Sequence, residues 1–285
     1  MVRLKINPNL PLCWEDHETL RVGFEAAHAR LHDPSPGVQR LLYAMLRGID
    51  PDRLSEFARV VGISSREAEG VFAALSSTLV AAEPATRELT QPRTGAGTGA
   101  GTGAGTGADT LSIAVCDTGR PVPGLVEAIA GTGLCRLERE DEQHQPELVI
   151  LVDRFLGPLE RAQRWLMAGV PHLLLRFTDT AVHVGPIVVS PGAPCHACVA
   201  LTLVASDPAY PVLAAQLANT VPPSETIDSA GVAVGYAATL IRDWLDGGPR
   251  AHNTRIVIPT SCGRVLSPPR FETVAPHPEC ACALG

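Results

Sequence analysis

Leu148-Val-Ile-Leu-Val-Asp153 is an unbroken apolar run that closes on a carboxylate, the text of a strand covered on both faces. Working outward, Leu111-Ser-Ile-Ala-Val-Cys116 upstream is a similar run, ending at Asp117-Thr-Gly119 and followed by a helix-compatible stretch from Pro123 to Ala130. Downstream, a helical pattern from Leu156 to Ala168 leads into Val170-Pro-His-Leu-Leu-Leu-Arg176, a third strand. Strands alternating with short helices predict a parallel sheet with helices on both faces. Beyond Ala181 the text holds a helix around Leu213 to Ala218, another from Ser229 to Trp244, and a strand at Thr254-Arg-Ile-Val-Ile258. Residues 110–285 therefore read as one α/β domain.

Before it, residues 94–109 repeat a Thr-Gly-Ala-Gly unit that has no side chain large enough to bury, so the segment does not offset its ordering entropy. Residues 86–109 read as a flexible linker, of which the repeat at 94–109 spans roughly 20 to 25 Å by coil scaling. Residues 1–85 then form a small module, expected to move relative to the rest. It opens with strand text, Leu10 to Trp14 and Thr19 to Phe24, around a hairpin at Glu15-Asp-His-Glu18, with Ala29 to His32 as a third strand. Three helices follow. Ser35 caps the first, with Pro36 at its first position and Val38, Leu41, Leu42, Met45, Leu46 and Ile49 on one face. The second starts at Asp50-Pro51 and stops at Gly62. The third starts on a capping box from Ser64 to Glu67, flanked by Ile63 and Ala68, and carries Val71, Phe72, Leu75 and Leu79. The turn between the last two contains Gly62, and strands plus three helices predict a winged helix-turn-helix.

Cys195-His-Ala-Cys198 and Cys280-Ala-Cys282 are two short-spaced thiol pairs, with the type and number of ligands of a closed structural Zn²⁺ site that pins the C-terminal tail. Pro191-Gly192-Ala193-Pro194 before the first pair and His277-Pro278-Glu279 before the second place them on tight turns. A disulfide set and unrelated thiols are the alternatives, and His196 and His277 are reserve ligands. Cys13, Cys116, Cys135 and Cys262 show no pairing rhythm and read as buried thiols of a reducing cytoplasm.

A net charge of −7, from 23 Lys+Arg against 30 Asp+Glu, argues against sequence-independent nucleic-acid or anionic-membrane binding. No signal peptide and no membrane-spanning run is legible. The start of the third helix, Ser65-Arg-Glu-Ala-Glu69, sets one Arg against two Glu, where a DNA reader needs cations.

Val184-Gly-Pro-Ile-Val-Val-Ser-Pro-Gly-Ala-Pro-Cys-His-Ala-Cys198, then Asp207-Pro before a Leu/Ala helix, then His277-Pro-Glu-Cys-Ala-Cys282, resembles the ThiF-like partner proteins of YcaO azoline-forming cyclodehydratases. These are leader-peptide-binding subunits, degenerate relatives of ubiquitin-activating enzymes, and the winged module resembles the recognition element they carry. The resemblance implies a Rossmann-like α/β domain, capture of a precursor's leader as an added edge strand, and a separate YcaO enzyme as partner. Carried over by position, the groove is Ala29, Arg30, Leu31 and His32 on the strand side and Arg66, Glu69, Gly70 and Ala73 on the third helix. A homodimer through the α/β domain is also implied.

The nucleotide chemistry of the ancestor is not expected. Cys116-Asp-Thr-Gly-Arg-Pro-Val-Pro-Gly124 lacks the glycine cradle spacing, and Asp117 would repel phosphate. Asp153-Arg154 reads as a strand-end acid followed by a solvated Arg. Cys262 keeps a minor reading as a thioester site. The predicted function is a non-catalytic scaffold for a cyclodehydratase; the alternatives are an adenylating enzyme acting on a peptide terminus and a winged-helix DNA-binding regulator.

Overall fold

A computed structural model describes residues 2–82, 110–117, 119–138 and 145–284. The linker read at 86–109 lies outside the described residues.

The first module runs β1 (Leu4–Ile6), β2 (Leu12–Trp14), β3 (Thr19–Val22), β4 (Ala29–His32), α1 (Pro36–Arg47), α2 (Leu54–Val61), α3 (Ser65–Ala74) and β5 (Leu79–Ala81). Strands β2, β3 and β4 make an antiparallel sheet, and β1 pairs with β5. The Ser35 hydroxyl accepts the Val38 N–H to cap α1, and Gly62 ends α2 in the left-handed conformation, where no Cβ is tolerated cheaply. The capping box of α3 is only half formed. Ser64 accepts from the Glu67 N–H, but the Glu67 carboxylate takes a bond from Ser35 instead. The third helix is also shorter than its periodicity predicts, because Leu79 leaves it to start β5 beside β1. Leu46 is largely exposed, while Leu41, Leu42 and Met45 fill the core with Leu20, Val22 and Ala58.

The second unit runs β6 (Leu111–Cys116), α4 (Leu125–Gly131), β7 (Cys135–Glu138), β8 (Leu148–Arg154), α5 (Leu159–Met167), β9 (His172–Phe177), β10 (Ala181–Val188), α6 (His196–Ser206), α7 (Tyr210–Gln216), α8 (Ile227–Leu245), α9 (Arg250–Asn253), β11 (Thr254–Ser261), β12 (Arg264–Val265) and β13 (Arg270–Thr273). Its sheet order is β12-β11-β10-β9-β8-β6-β7, with β13 also on β11. The predicted all-parallel sheet is corrected here. Strands β7, β6, β8 and β9 are parallel, but β10, β11 and β13 are antiparallel. The cause is local: β9 and β10 are joined only by Thr178-Asp179-Thr180, too short for a crossover and sufficient for a hairpin. Helices α4 and α8 cover one face through Leu125, Ile129, Ala230, Ala233 and Ala237, and α5 covers the other through Ala162 and Trp165. No single described helix is long and apolar enough to cross a membrane.

The two units are not a loose pair, contrary to the mobility expected from the linker. The β2–β4 sheet is covered on both faces, which is why every residue of β3 is buried. Leu20 and Val22 face the helices, and Arg21 faces the α/β domain with a side chain only 1% exposed. Its guanidinium donates to the carbonyls of Gly23 (2.8 Å) and Phe24 (2.7 Å), to Glu15 (2.9 Å), and across the junction to Asp207 (2.5 Å). In the other direction, the Asp179 carboxylate accepts the N–H groups of Phe24 (2.7 Å) and Glu25 (3.0 Å). Phe24 lies between Phe155 and Tyr210, with ring centroids at 4.9 and 4.6 Å.

Removing Arg21 strands the Asp207 carboxylate and two carbonyls at the junction, while Glu15 keeps Arg30. The Arg21→Met protein should lose about 3–5 kcal/mol of stability, as measured by urea unfolding.

Candidate functional site

The four cysteines of the two predicted pairs converge. Their sulfurs all lie within 4.8 Å of one another, with Cys195–Cys198 at 3.9 Å, Cys195–Cys280 at 3.5 Å and Cys198–Cys282 at 3.3 Å. Four sulfurs around an ion at about 2.3 Å stand about 3.8 Å apart, so the donor set fits a tetrahedral metal ion. No sulfur pair is at disulfide distance, and all eight cysteines are free. Cys195 is the N-cap of α6 and Cys198 lies in its first turn, so the first pair starts a helix instead of sitting on the predicted turn. Val188 and Leu174 of the sheet pack under the cluster. Through it the tail reaches the body. His196 is buried beside the cluster with Nδ1 unpartnered, and His277 Nδ1 accepts the Glu279 N–H.

The second feature is a sheet edge. The Asp33 N–H donates to Glu18 O, so the alternation of the β3–β4 ladder turns the backbone groups of Ala29 and Leu31 toward β3 and those of Arg30 and His32 outward. No strand among the described residues pairs with that outer edge. Arg66, Glu69, Gly70 and Ala73 are all exposed on α3, which packs beside β4. The opposite edge of the same sheet is closed. Gln216 of α7 accepts the Trp14 N–H (2.9 Å) and donates to its carbonyl (2.7 Å), as a neighbouring strand would. Nothing in the local sequence of Gln216 announces that role.

The third feature fills the crevice at the C-terminal ends of β6 and β8, the topological switch point of the parallel half. Arg154, read as solvated, is 8% exposed and donates to Asp117 (2.5 Å) and Glu225 (2.7 Å), while Arg120 adds a second cation on Glu225 at 2.9 Å. The Glu225 side chain is 1% exposed, and Thr226 and Ser229 beside it form the capping box of α8. Asp153 lies 2.7 Å from Arg161, yet burial pushes its carboxyl up to about 6, with Arg161 opposing.

No protein-family model matches the chain, and no curated protein matches it. Among solved structures, the chain is similar over 97% of its length to a heterocyclase determined with substrate and cofactor, at 14% identity and TM-score 0.44, spanning 39% of that chain. It is similar over 98% of its length to the heterocyclase TruD, at 15% identity and TM-score 0.44, spanning 42% of that chain. A chain of the E. coli microcin synthetase complex McbBCD aligns over 97% of this protein and 99% of its own length, at 11% identity and TM-score 0.43. The protein thus spans well under half the length of the two heterocyclase chains.

Two measurements follow from the site. Metal analysis of protein purified without chelator should find about one ion per chain, and Cys282→Ser should release it and expose the tail to protease. For Asp153, folding raises the pKa from 3.8 to about 6. Stability linked to the protonated carboxyl is complete below about pH 3.8 and is lost as the pH rises through about 6. Asp153→Asn should flatten that segment of the pH profile, a difference of roughly 2–3 kcal/mol between urea unfolding at about pH 4 and about pH 7.

Proposed function

We propose that the chain is a non-catalytic scaffold that binds the leader of a ribosomally made precursor peptide and presents it to a separate YcaO-type cyclodehydratase for azoline formation. The observation that carries this reading is the asymmetry of the small sheet: one edge is occupied by Gln216, while the β4 edge has outward backbone groups at Arg30 and His32 and the exposed face of α3 beside it. An extended peptide adds there as a strand, its backbone supplying affinity and its side chains meeting Arg66, Glu69, Gly70 and Ala73. In this reading residues 1–85 are a winged helix-turn-helix recognition module, residues 86–109 a linker, and residues 110–285 a ThiF-like domain.

The remaining assignments follow from the same sites. The ion at Cys195, Cys198, Cys280 and Cys282 is structural Zn²⁺, whose closed thiolate shell leaves no position for substrate. The switch-point crevice is held by Arg154, Asp117, Arg120 and Glu225 paired with one another, and no nucleotide chemistry is assigned to it. The protein acts in a reducing cytoplasm as a homodimer through its α/β domain, without nucleic acid or membrane.

Peptides selected on the full chain from a displayed random library should protect the Arg30 and His32 amides from hydrogen exchange. His32→Pro removes one outward N–H while keeping the β3–β4 ladder, and should weaken those peptides roughly fivefold, the worth of about 1 kcal/mol of lost hydrogen bond. Fusing a selected peptide ahead of a Cys/Ser-containing core should raise the peptide-dependent ATP turnover of a YcaO enzyme only when this chain is added. Selected peptides that leave β4 unprotected overturn the reading.

A further inference from the structure

Helix α8 packs on the large sheet through Ala230, Ala233, Ala237, Leu240 and Ile241 and turns its other side to solvent. That outer side lacks the charges of a solvated flank. No residue from Ser229 to Ile241 is charged, in a chain with 30 Asp+Glu and 23 Lys+Arg. Exposed apolar side chains stand there instead. Ile227 is 66% and Val232 37% exposed, and Phe271 of β13, 65% exposed, sets its ring 6.1 Å from that of Tyr236. The free flank of a surface helix ordinarily carries charge, and a contiguous apolar patch marks a contact surface.

The charges that do occur decide what covers this surface. Asp228, Gly231, Gly235, Thr239 and Arg242 are all exposed, and their spacing of three and four residues sets them on one stripe. Asp228 stands seven residues before Gly235 and Arg242 seven after it, and neither makes an ion pair among the described residues. A stripe whose acid and base are equidistant from its middle is complementary to itself when turned end for end. In an antiparallel pair of α8 helices crossing at Gly235, the Asp228 of each copy meets the Arg242 of the other, and the helix dipoles oppose favourably. The glycines fit the same arrangement. A Cβ at Gly231 or Gly235 would meet nothing within 4 Å, so the single chain gives no steric reason for them, although each weakens the helix relative to alanine. At a crossing point they let a second backbone come close. The 19 residues of α8 span about 28 Å, the side of a square patch of about 800 Å², which is one partner's share of a stable interface.

We infer that α8 is the contact surface for a second copy of this chain, the two helices crossing antiparallel at Gly235 under two symmetric Asp228–Arg242 ion pairs, with Ile227, Val232 and Phe271 at the flanks. This rests on the homodimer of the functional reading and names its seam. The β4 edge belongs to the other sheet, so peptide capture is measured separately from it.

Sedimentation equilibrium of the full chain over a dilution series should show a dimer. Gly235→Arg, where the single chain has room for a side chain, should raise the dimer dissociation constant at least about a hundredfold by blocking the crossing point. Asp228→Arg should weaken the dimer about tenfold by setting arginine against Arg242, and the exchange Asp228→Arg with Arg242→Asp should restore it to within about threefold. The exchange uses two exposed positions, so it tests the crossing even should Gly235→Arg misfold, which circular dichroism reports. A parent chain that stays monomeric overturns both the homodimer and this inference. A dimer that a folded Gly235→Arg protein or Asp228→Arg leaves intact, or that the exchange does not restore, overturns the inference alone.

Discussion

The Arg21 guanidinium is the constraint on which the arrangement of this molecule depends. It sits at the centre of a sheet squeezed between helices and an α/β domain, and it satisfies acceptors on both sides at once. Because it holds the carbonyls of Gly23 and Phe24, the chain leaving β3 is turned so that Phe24 enters the gap between Phe155 and Tyr210. Asp179 then fastens the same turn from the far side through two backbone N–H groups. A buried guanidinium with every nearby acceptor matched loses little by leaving water, whereas a half-matched one is severely destabilising. The placement of the first module therefore rests on these contacts.

That placement decides which surfaces are available. Docking brings α7 against the outer edge of β2, where Gln216 completes the backbone pairing of Trp14. It also carries Glu25 onto Arg176 and His183, two buried polar groups of the large sheet. The tail is held by sulfurs of Cys280 and Cys282 against those at the start of α6.

Much of this was legible in the sequence, and the reasons for the rest are physical. Short-range signals were reliable: Ser35 and Pro36 at the start of α1, Gly62 at the end of α2, and the apolar runs of β6, β8 and β9. The cysteine cluster was legible because two close spacings carry their own geometry, although the helix beginning at Cys195 was not. Strand β10 was missed because His183, Gly185 and Pro186 interrupt its apolar text, and with it went the switch from parallel to antiparallel pairing. Arg21, Glu25, Asp179, Gln216 and Glu225 looked like ordinary surface polar residues. Each takes its role from a partner tens to hundreds of positions away, and no local pattern records such a pairing.

The single glutamine on β2 gives the small sheet a direction of growth. With one border sealed, any added strand must join at β4, and that includes the β4 of a second molecule. Two copies that met border to border would each cover the other's open edge, so crowding the protein would compete directly with any strand that the proposed function places there. Arg30 and His32, both exposed on that border, set bulky side chains against a second copy's edge and so disfavour such a pair.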